Sequence, residues 1–373
     1  MIRVLAIILM LTGVLANARA QVITPQGMAA SDGEAPVQKA TDLINRVETL
    51  LKDEKTYGQG YRTAKAALSL LEAAQDPALL GRALHVAGRA AYLTRNPADA
   101  EKLWSRAVEV RSAALGPQHP DVARSLNNLG SLYLSKGQRD RALPFYERSL
   151  SIFEKSLGKE HPMVAKSLNT IGNLYYGKGD YDRTLEFFKR SLDIRKRALG
   201  AAHPEVAGSL NNVATVYKVK GDLKQALAVY DQALTAYKKA LGSEHPRVAM
   251  VLDNIAIIYG AQAQHDRALS LYERVLTIRE KAHGRDHPSV AAAANSIAAQ
   301  YYAKAQYDRA RPHYERALQI YELVGGKEHP EVGQSLNNLA NLHYSQGQYD
   351  QALHLYERAS KIYEKALGKR HRR

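Results

Sequence analysis

An all-α solenoid of helical hairpins is the fold class this sequence predicts, on three observations. Gly116, Gly158, Gly200, Gly242, Gly284, Gly326 and Gly368 fall every 42 residues. A His-Pro pair stands three places after each of the first six, from His119-Pro120 to His329-Pro330. Between these marks the apolar residues recur at helical spacing. A fixed period of this size signifies stacked units that cannot bury their apolar faces alone, so function is expected on a surface the stack creates.

Taken in order, residues 1–20 read as an export signal. Arg3 supplies the positive start, Val4 to Leu15 form an apolar run, and Ala16-Asn17-Ala18 and Ala18-Arg19-Ala20 offer cleavage sites, so the mature chain is expected to begin at Gln21. A membrane anchor is the alternative, but a run of twelve residues is short of the ~20 that span hydrocarbon. The expected compartment is therefore outside the cytosol, periplasmic or secreted in a bacterium. Residues 21–36, with Pro, Gly, Ser and Ala, read as a flexible leader. Residues 37–76 are expected to form two N-terminal capping helices, Val37 to Leu51 and Tyr61 to Glu72.

Each 42-residue unit from 119 to 370 reads as a hairpin of two helices. In the first, Val122, Ala123, Leu126, Leu129 and Tyr133 form one apolar face, Lys136-Gly137-Gln138 a turn, and Ala142, Leu143, Tyr146, Leu150 and Phe153 the second face. The prolines suit the first helical turn, where a missing N–H is no loss, and the period-marking glycines are expected to end the preceding helix in a left-handed conformation. The final helix is placed at about Tyr349 to Leu367, followed by Gly368-Lys369 and a basic end that closes with residues 371–373.

The internal pattern Leu129-Gly130, Tyr133, Gly137, Ala142, Tyr146 and Leu150 resembles the tetratricopeptide repeat. The eight extra residues per unit, with Leu115-Gly116, His119-Pro120, Val122-Ala123 and Ser125-Leu126-Asn127-Asn128, are similar to the kinesin light chain variety. The resemblance covers residues 119–370 as six units and 77–118 as a divergent one, in which Gly88, Ala100, Trp104 and Ala107 keep register with Gly130, Ala142, Tyr146 and Ser149 but no His-Pro survives. It implies a right-handed α-solenoid of tetratricopeptide-like hairpins.

Composition limits the chemistry. The chain has no cysteine, so neither disulfides nor thiolates contribute, and 45% hydrophobic with 7% aromatic content suits Ala- and Leu-rich helices. No phosphate loop, nucleophile elbow or zinc-protease motif occurs, so neither an enzyme nor a cofactor is expected. The six repeat histidines invite a metal reading, yet equivalent positions in stacked helices lie roughly 8–10 Å apart. Zinc needs its ligands at about 2 Å, so a structural role at the helix start is expected instead.

The candidate site is a polar row. Asn127, Asn169, Asn211, Asp253, Asn295 and Asn337 share one position in the middle of each first helix, where asparagine is a poor choice because its amide competes for backbone bonds. Lys166, Asn169, Asn173 and Tyr176 follow i, i+3, i+7, i+10 spacing on one stripe, opposite Leu168, Ile171 and Tyr175; Gln334, Asn337, Asn341 and Tyr344 do the same. The resemblance implies that this stripe lines a concave groove, to which Lys218 and Tyr302 also belong. A carboxamide both donates and accepts, which suits an extended peptide backbone. The alternative is that these amides bond one another and merely order the stack. A second row, Asn128, Asn212, Asn254 and Asn338, is assigned to packing between units. The carboxylate clamp known in this fold needs Lys or Arg that only Arg124 and Lys166 approach, so recognition of a C-terminal carboxylate is not expected.

The expected function is a non-enzymatic scaffold or adaptor in a bacterial envelope, with a protein or peptide partner rather than nucleic acid. The rival is a binder of anionic glycan or membrane headgroups through Lys189, Arg190, Arg195, Lys196, Arg197 and the Lys369 to Arg373 end, suggested by a net charge of +15. Residues 329–367 are expected to meet a second copy, as a homodimer, or a partner, from Leu336, Leu339, Leu342, Ala352 and Leu355, read as a flank without a neighbour.

Overall fold

The computed structural model describes residues 29–74 and 76–370; the segment read as an export signal, the first part of that read as a leader, and 371–373 lie outside them. The chain forms two compact units that divide between Gly116 and Pro117.

The first unit holds α1 (Ala29–Leu50), α2 (Tyr57–Ala74), α3 (Pro77–Leu93) and α4 (Pro97–Leu115). Its core gathers Ile44, Val47, Leu71 and Ala87. The first helix begins eight residues before the expected Val37 and carries Pro36 inside it, so part of the segment read as leader is helical. A buried Trp104 donates its indole N–H to the His85 carbonyl at 3.0 Å. That ring lies so close to Gly88 that a Cβ there would stand 2.6 Å from it, which explains why glycine holds the helix crossing.

The second unit is an array of six hairpins. Its first helices are α5 (Pro120–Ser135), α7 (Pro162–Lys178), α9 (Pro204–Val219), α11 (Pro246–Ala261), α13 (Pro288–Ala303) and α15 (Pro330–Ser345). Its second helices are α6 (Arg139–Leu157), α8 (Tyr181–Leu199), α10 (Leu223–Leu241), α12 (His265–His283), α14 (Tyr307–Gly325) and α16 (Tyr349–Arg370). Each helix packs on the next in sequence, and the apolar residues read from the spacing form the buried seam: Val122, Leu126, Tyr146 and Phe153 in the first hairpin, for example, are all 3% exposed or less. The all-α solenoid read from the sequence is the fold observed.

The repeat punctuation has a physical reason in each case. All six histidines sit at the N-cap, with extended backbone, and Nδ1 accepts the N–H two residues on, at 3.1 Å for Asp121, Met163, Arg247 and Ser289, 3.2 Å for Glu205 and 3.3 Å for Glu331. Each imidazole thus satisfies a donor that the first helical turn leaves orphaned. The glycine that ends each second helix differs from expectation. Gly116, Gly158, Gly200, Gly242, Gly284 and Gly326 have φ of 78° to 93° with ψ of 149° to 163°, an extended positive-φ region that only glycine enters freely, not the left-handed helical one. The last helix also runs past its expected end at Leu367 to Arg370.

Candidate functional site

The first helices bury one face against their own second helices and the next repeat, and leave a stripe toward solvent. Lys166, Asn173, Asn341 and Tyr344 are exposed on it, Asn127, Asn169, Tyr176, Lys218, Asn295, Tyr302 and Asn337 are half-buried, and Asn211 is buried. The twelve residues singled out in the sequence therefore share one face, but they are not equally free.

The asparagine row is wired into the stack. Asn212 donates from Nδ2 to Oδ1 of Asn169 at 3.2 Å, and Asn254 donates likewise to Asn211 at 3.4 Å, each bond joining one first helix to the next. The expectation that these amides bond one another holds for the carbonyl oxygens, which order the junctions, while Nδ2 of Asn169 and of Asn211 makes no hydrogen bond among the described residues. The rule is an Asn-Asn doublet, whose first member accepts from the second member of the following repeat. It fails for Asn127, because Thr170 stands where the donor belongs, and for Asn295, toward which Asn338 makes no bond, its Oδ1 accepting from Gln334 on its own helix. Both of those Oδ1 atoms are buried without a partner. Asp253 leaves the row altogether and pairs with Arg279 at 3.3 Å.

Lys218 closes this network, donating to Oδ1 of Asn254 at 2.8 Å. Burial pushes its ammonium below the ordinary lysine range, and the Asp253 charge opposes that shift only in part. Asn341 is engaged through its oxygen, which accepts the Tyr356 hydroxyl. Equivalent bonds join Ser131 to Tyr146 at 2.8 Å and Thr215 to Tyr230 at 2.9 Å. Asn173 has Phe188 in that place, so its amide makes no such bond.

Sequence reasoning missed two features of the stripe. Met250 and Ile257 on α11 are 39% and 45% exposed at the register positions of Lys166 and Asn173, giving the stripe an apolar step. The 42-residue alignment held that signal, since every other repeat is polar or small there. The second feature is pairing of rings across the hairpin turn: Tyr176 with Tyr181 at 5.6 Å, Tyr302 with Tyr307 at 5.6 Å, and Tyr344 with Tyr349 at 5.3 Å. A tyrosine five residues beyond each stripe tyrosine was the available clue.

One expectation about another surface is corrected, and the structure bears on a second. Leu336, Leu339, Leu342 and Ala352 are 4% exposed or less and Leu355 is half-buried, all covered by their own chain, so they form no open flank for a second copy. Of the basic cluster, Arg190 pairs with Glu154 at 2.6 Å, Arg197 with Glu160 at 2.6 Å and Arg195 with Glu205 at 3.6 Å, while Lys189 lies over the Tyr217 ring at 5.4 Å. These four side chains tie repeats together. Among the described residues no group of His, Asp or Glu is arranged to hold a metal ion, and no helix is long and apolar enough to cross a membrane.

Stacked helical hairpins with capped, glycine-punctuated ends define an α-solenoid. The tetratricopeptide repeat pattern matches residues 79–155, 136–197, 163–239, 205–281 and 289–365, and the chain belongs to that family. No curated protein matches the sequence. Among solved structures, it is similar to a putative kinesin light chain with nearly identical TPR-like repeats from Podosopora anserina, at 26% identity over 56% of this chain and 99% of that one, with a TM-score of 0.49. The apo form of the quorum sensor NprR from B. thuringiensis is 11% identical over 90% of this chain and 99% of that one, with a TM-score of 0.53. A STAND signal-transduction ATPase with a tetratricopeptide repeat sensor from Pyrococcus horikoshii is 15% identical over 89% of this chain and 54% of that one, with a TM-score of 0.57. These last two share the fold alone.

Proposed function

We propose that this chain is a non-enzymatic scaffold whose first-helix stripe, in residues 119–370, binds an extended segment of a partner protein. The observation that carries the reading is the division of labour within the asparagine row. Carbonyl oxygens of Asn169 and Asn211 are consumed in holding adjacent helices in register, whereas the amide N–H groups are unspent. A buried-to-exposed gradient from Asn211 to Asn341 and Tyr344 then gives a polar floor with accessible edges. Rigid floors suit recognition, because the ligand alone bears the ordering cost. The export reading places this scaffold in a bacterial envelope; recovery of a mature chain starting near Gln21 by osmotic shock supports that placement, and full-length chain in the membrane pellet contradicts it.

Panning the protein against displayed random peptides tests the function. Selected peptides are expected to lose affinity only slowly as salt rises, and to compete with one another for the stripe. A binder of anionic polymers instead loses affinity steeply, since each neutralised charge releases counterions. Selection of no peptide, together with steep salt-dependent capture of an anionic glycan, contradicts the scaffold reading.

A further inference from the structure

Hydrogen-bond polarity narrows the kind of segment that fits. The oxygens of Asn169 and Asn211 accept from neighbouring helices, that of Asn341 accepts from Tyr356, and those of Asn127 and Asn295 are sealed from solvent. Nδ2 of the same five residues makes no hydrogen bond among the described residues. At these five residues what the row offers a ligand is donors; Asn173 and Asn337, with no hydrogen bond on either amide atom among the described residues, offer both. An ordinary extended peptide presents N–H and C=O in equal number, so its N–H groups meet nothing at the five. A proline-rich segment presents carbonyls and lacks an N–H at each proline, and in the polyproline II form it makes no internal hydrogen bonds.

Ring placement points the same way. Tyr302 and Tyr344 hold one register position in adjacent repeats, and the Tyr302 hydroxyl bonds Ser345 at 2.7 Å, which ties the two together. Each ring is backed by a second, Tyr307 or Tyr349, inclined at 54° and 64°. Adjacent packed helices stand roughly 8–10 Å apart, and one polyproline II turn of three residues advances about 9 Å. Residues i and i+3 of such a segment therefore meet successive tyrosines, and flat proline rings suit aromatic-lined grooves. Neither α13 nor α15 carries a charged side chain on its stripe, so a charged ligand residue there would lose hydration without gaining a partner.

We propose that the groove takes an uncharged, proline-rich segment in the polyproline II conformation, with its prolines on Tyr302 and Tyr344 and its carbonyls on the asparagine amides. This rests on the peptide reading above. Fluorescence anisotropy with a labelled polyproline peptide of about nine residues, three turns, set against a Gly-Ser peptide of equal length, decides it. Expected are binding at least tenfold tighter for polyproline, indifference to salt, and at least tenfold weakening in Tyr344→Ala. Asn341→Asp is the sharper variant: it keeps an oxygen for Tyr356 but replaces the outward donor with an acceptor, so it weakens binding tenfold or more with an unchanged melting temperature. Equal affinity for the Gly-Ser peptide, or full affinity in Asn341→Asp, overturns the proposal. Failure of polyproline while panned peptides bind also overturns it and leaves the peptide reading standing; if neither polyproline nor any panned peptide binds, both fall.

Discussion

Repeats 161–244 and 245–328 share one backbone plan and the same histidine caps yet differ at the turn inside every hairpin. In the first pair the hairpin turns are Gly179-Asp180 and Gly221-Asp222: glycine takes the positive φ and aspartate caps the second helix, accepting from Arg183 and Gln225 at 3.1 Å. In the second pair the turns are Ala263-Gln264 and Ala305-Gln306, with alanine forced to φ of 56° and 55° and no side-chain cap. Of the amide bonds between first helices, Asn212 to Asn169 lies within the earlier pair and Asn254 to Asn211 joins it to the later one, none lies within the later pair among the described residues, and the apolar step at Met250 and Ile257 belongs to the later pair. A solenoid sums local terms, so one region can be tightly jointed and the next left looser without a change of fold.

Exchanging the turns gives the largest effect. Installing Gly221→Ala with Asp222→Gln is expected to lower stability by about 2 kcal/mol, from left-handed strain and a lost cap together, while Ala305→Gly with Gln306→Asp raises it by a similar amount. Denaturant midpoints measure both. Equal and small shifts in the two directions erase the distinction between the regions.

The amide joints come next. Asn211→Ala removes the acceptor of Asn254, whereas Asn337→Ala breaks no bond and adds helix propensity; the two are expected to differ by about 1 kcal/mol, with Asn337→Ala the more stable. Thr170→Asn supplies the donor missing opposite Asn127 and is expected to gain about 1 kcal/mol by extending the row one junction further. Thermal melts of the three variants suffice, and a Thr170→Asn protein no more stable than the parent contradicts the register rule.

The smallest effect is an acid-side pH dependence at His313 in the later pair. His313 stacks on Tyr301 at 5.9 Å, and burial, then the Arg316 charge, lowers its pKa from the ordinary 6.5. The folded state therefore favours the neutral ring. Its contribution is full above pH 6.5 and is lost as pH falls through the depressed folded value. His313→Gln is expected to flatten that part of the acid limb in a titration of melting temperature.

The hairpin plan was legible because it is written in period, proline and glycine, each tied to a backbone need that repeats six times. The histidine caps were legible as structural by spacing, though not as Nδ1 acceptors, since that depends on a side-chain torsion. The asparagine row was found because asparagine is out of place in mid-helix. Its division into spent oxygens and free N–H groups was not, because which partner each oxygen meets depends on a neighbour one repeat and one residue away. Met250 and Ile257 escaped notice for a plainer reason: on a single helix an exposed apolar residue resembles a buried one, and only alignment of all six repeats shows them standing on the polar stripe.

Photo-crosslinking tests the central claim most directly. A photoreactive residue is placed at Asn173 or Asn341 on the stripe, and at Glu147 or Arg148 on the exposed side of α6, each in the presence of a panned peptide. Crosslinks from Asn173 and Asn341 alone are the predicted result. Crosslinks from Glu147 and Arg148 with none from the stripe would contradict it and move the partner to the outer helices.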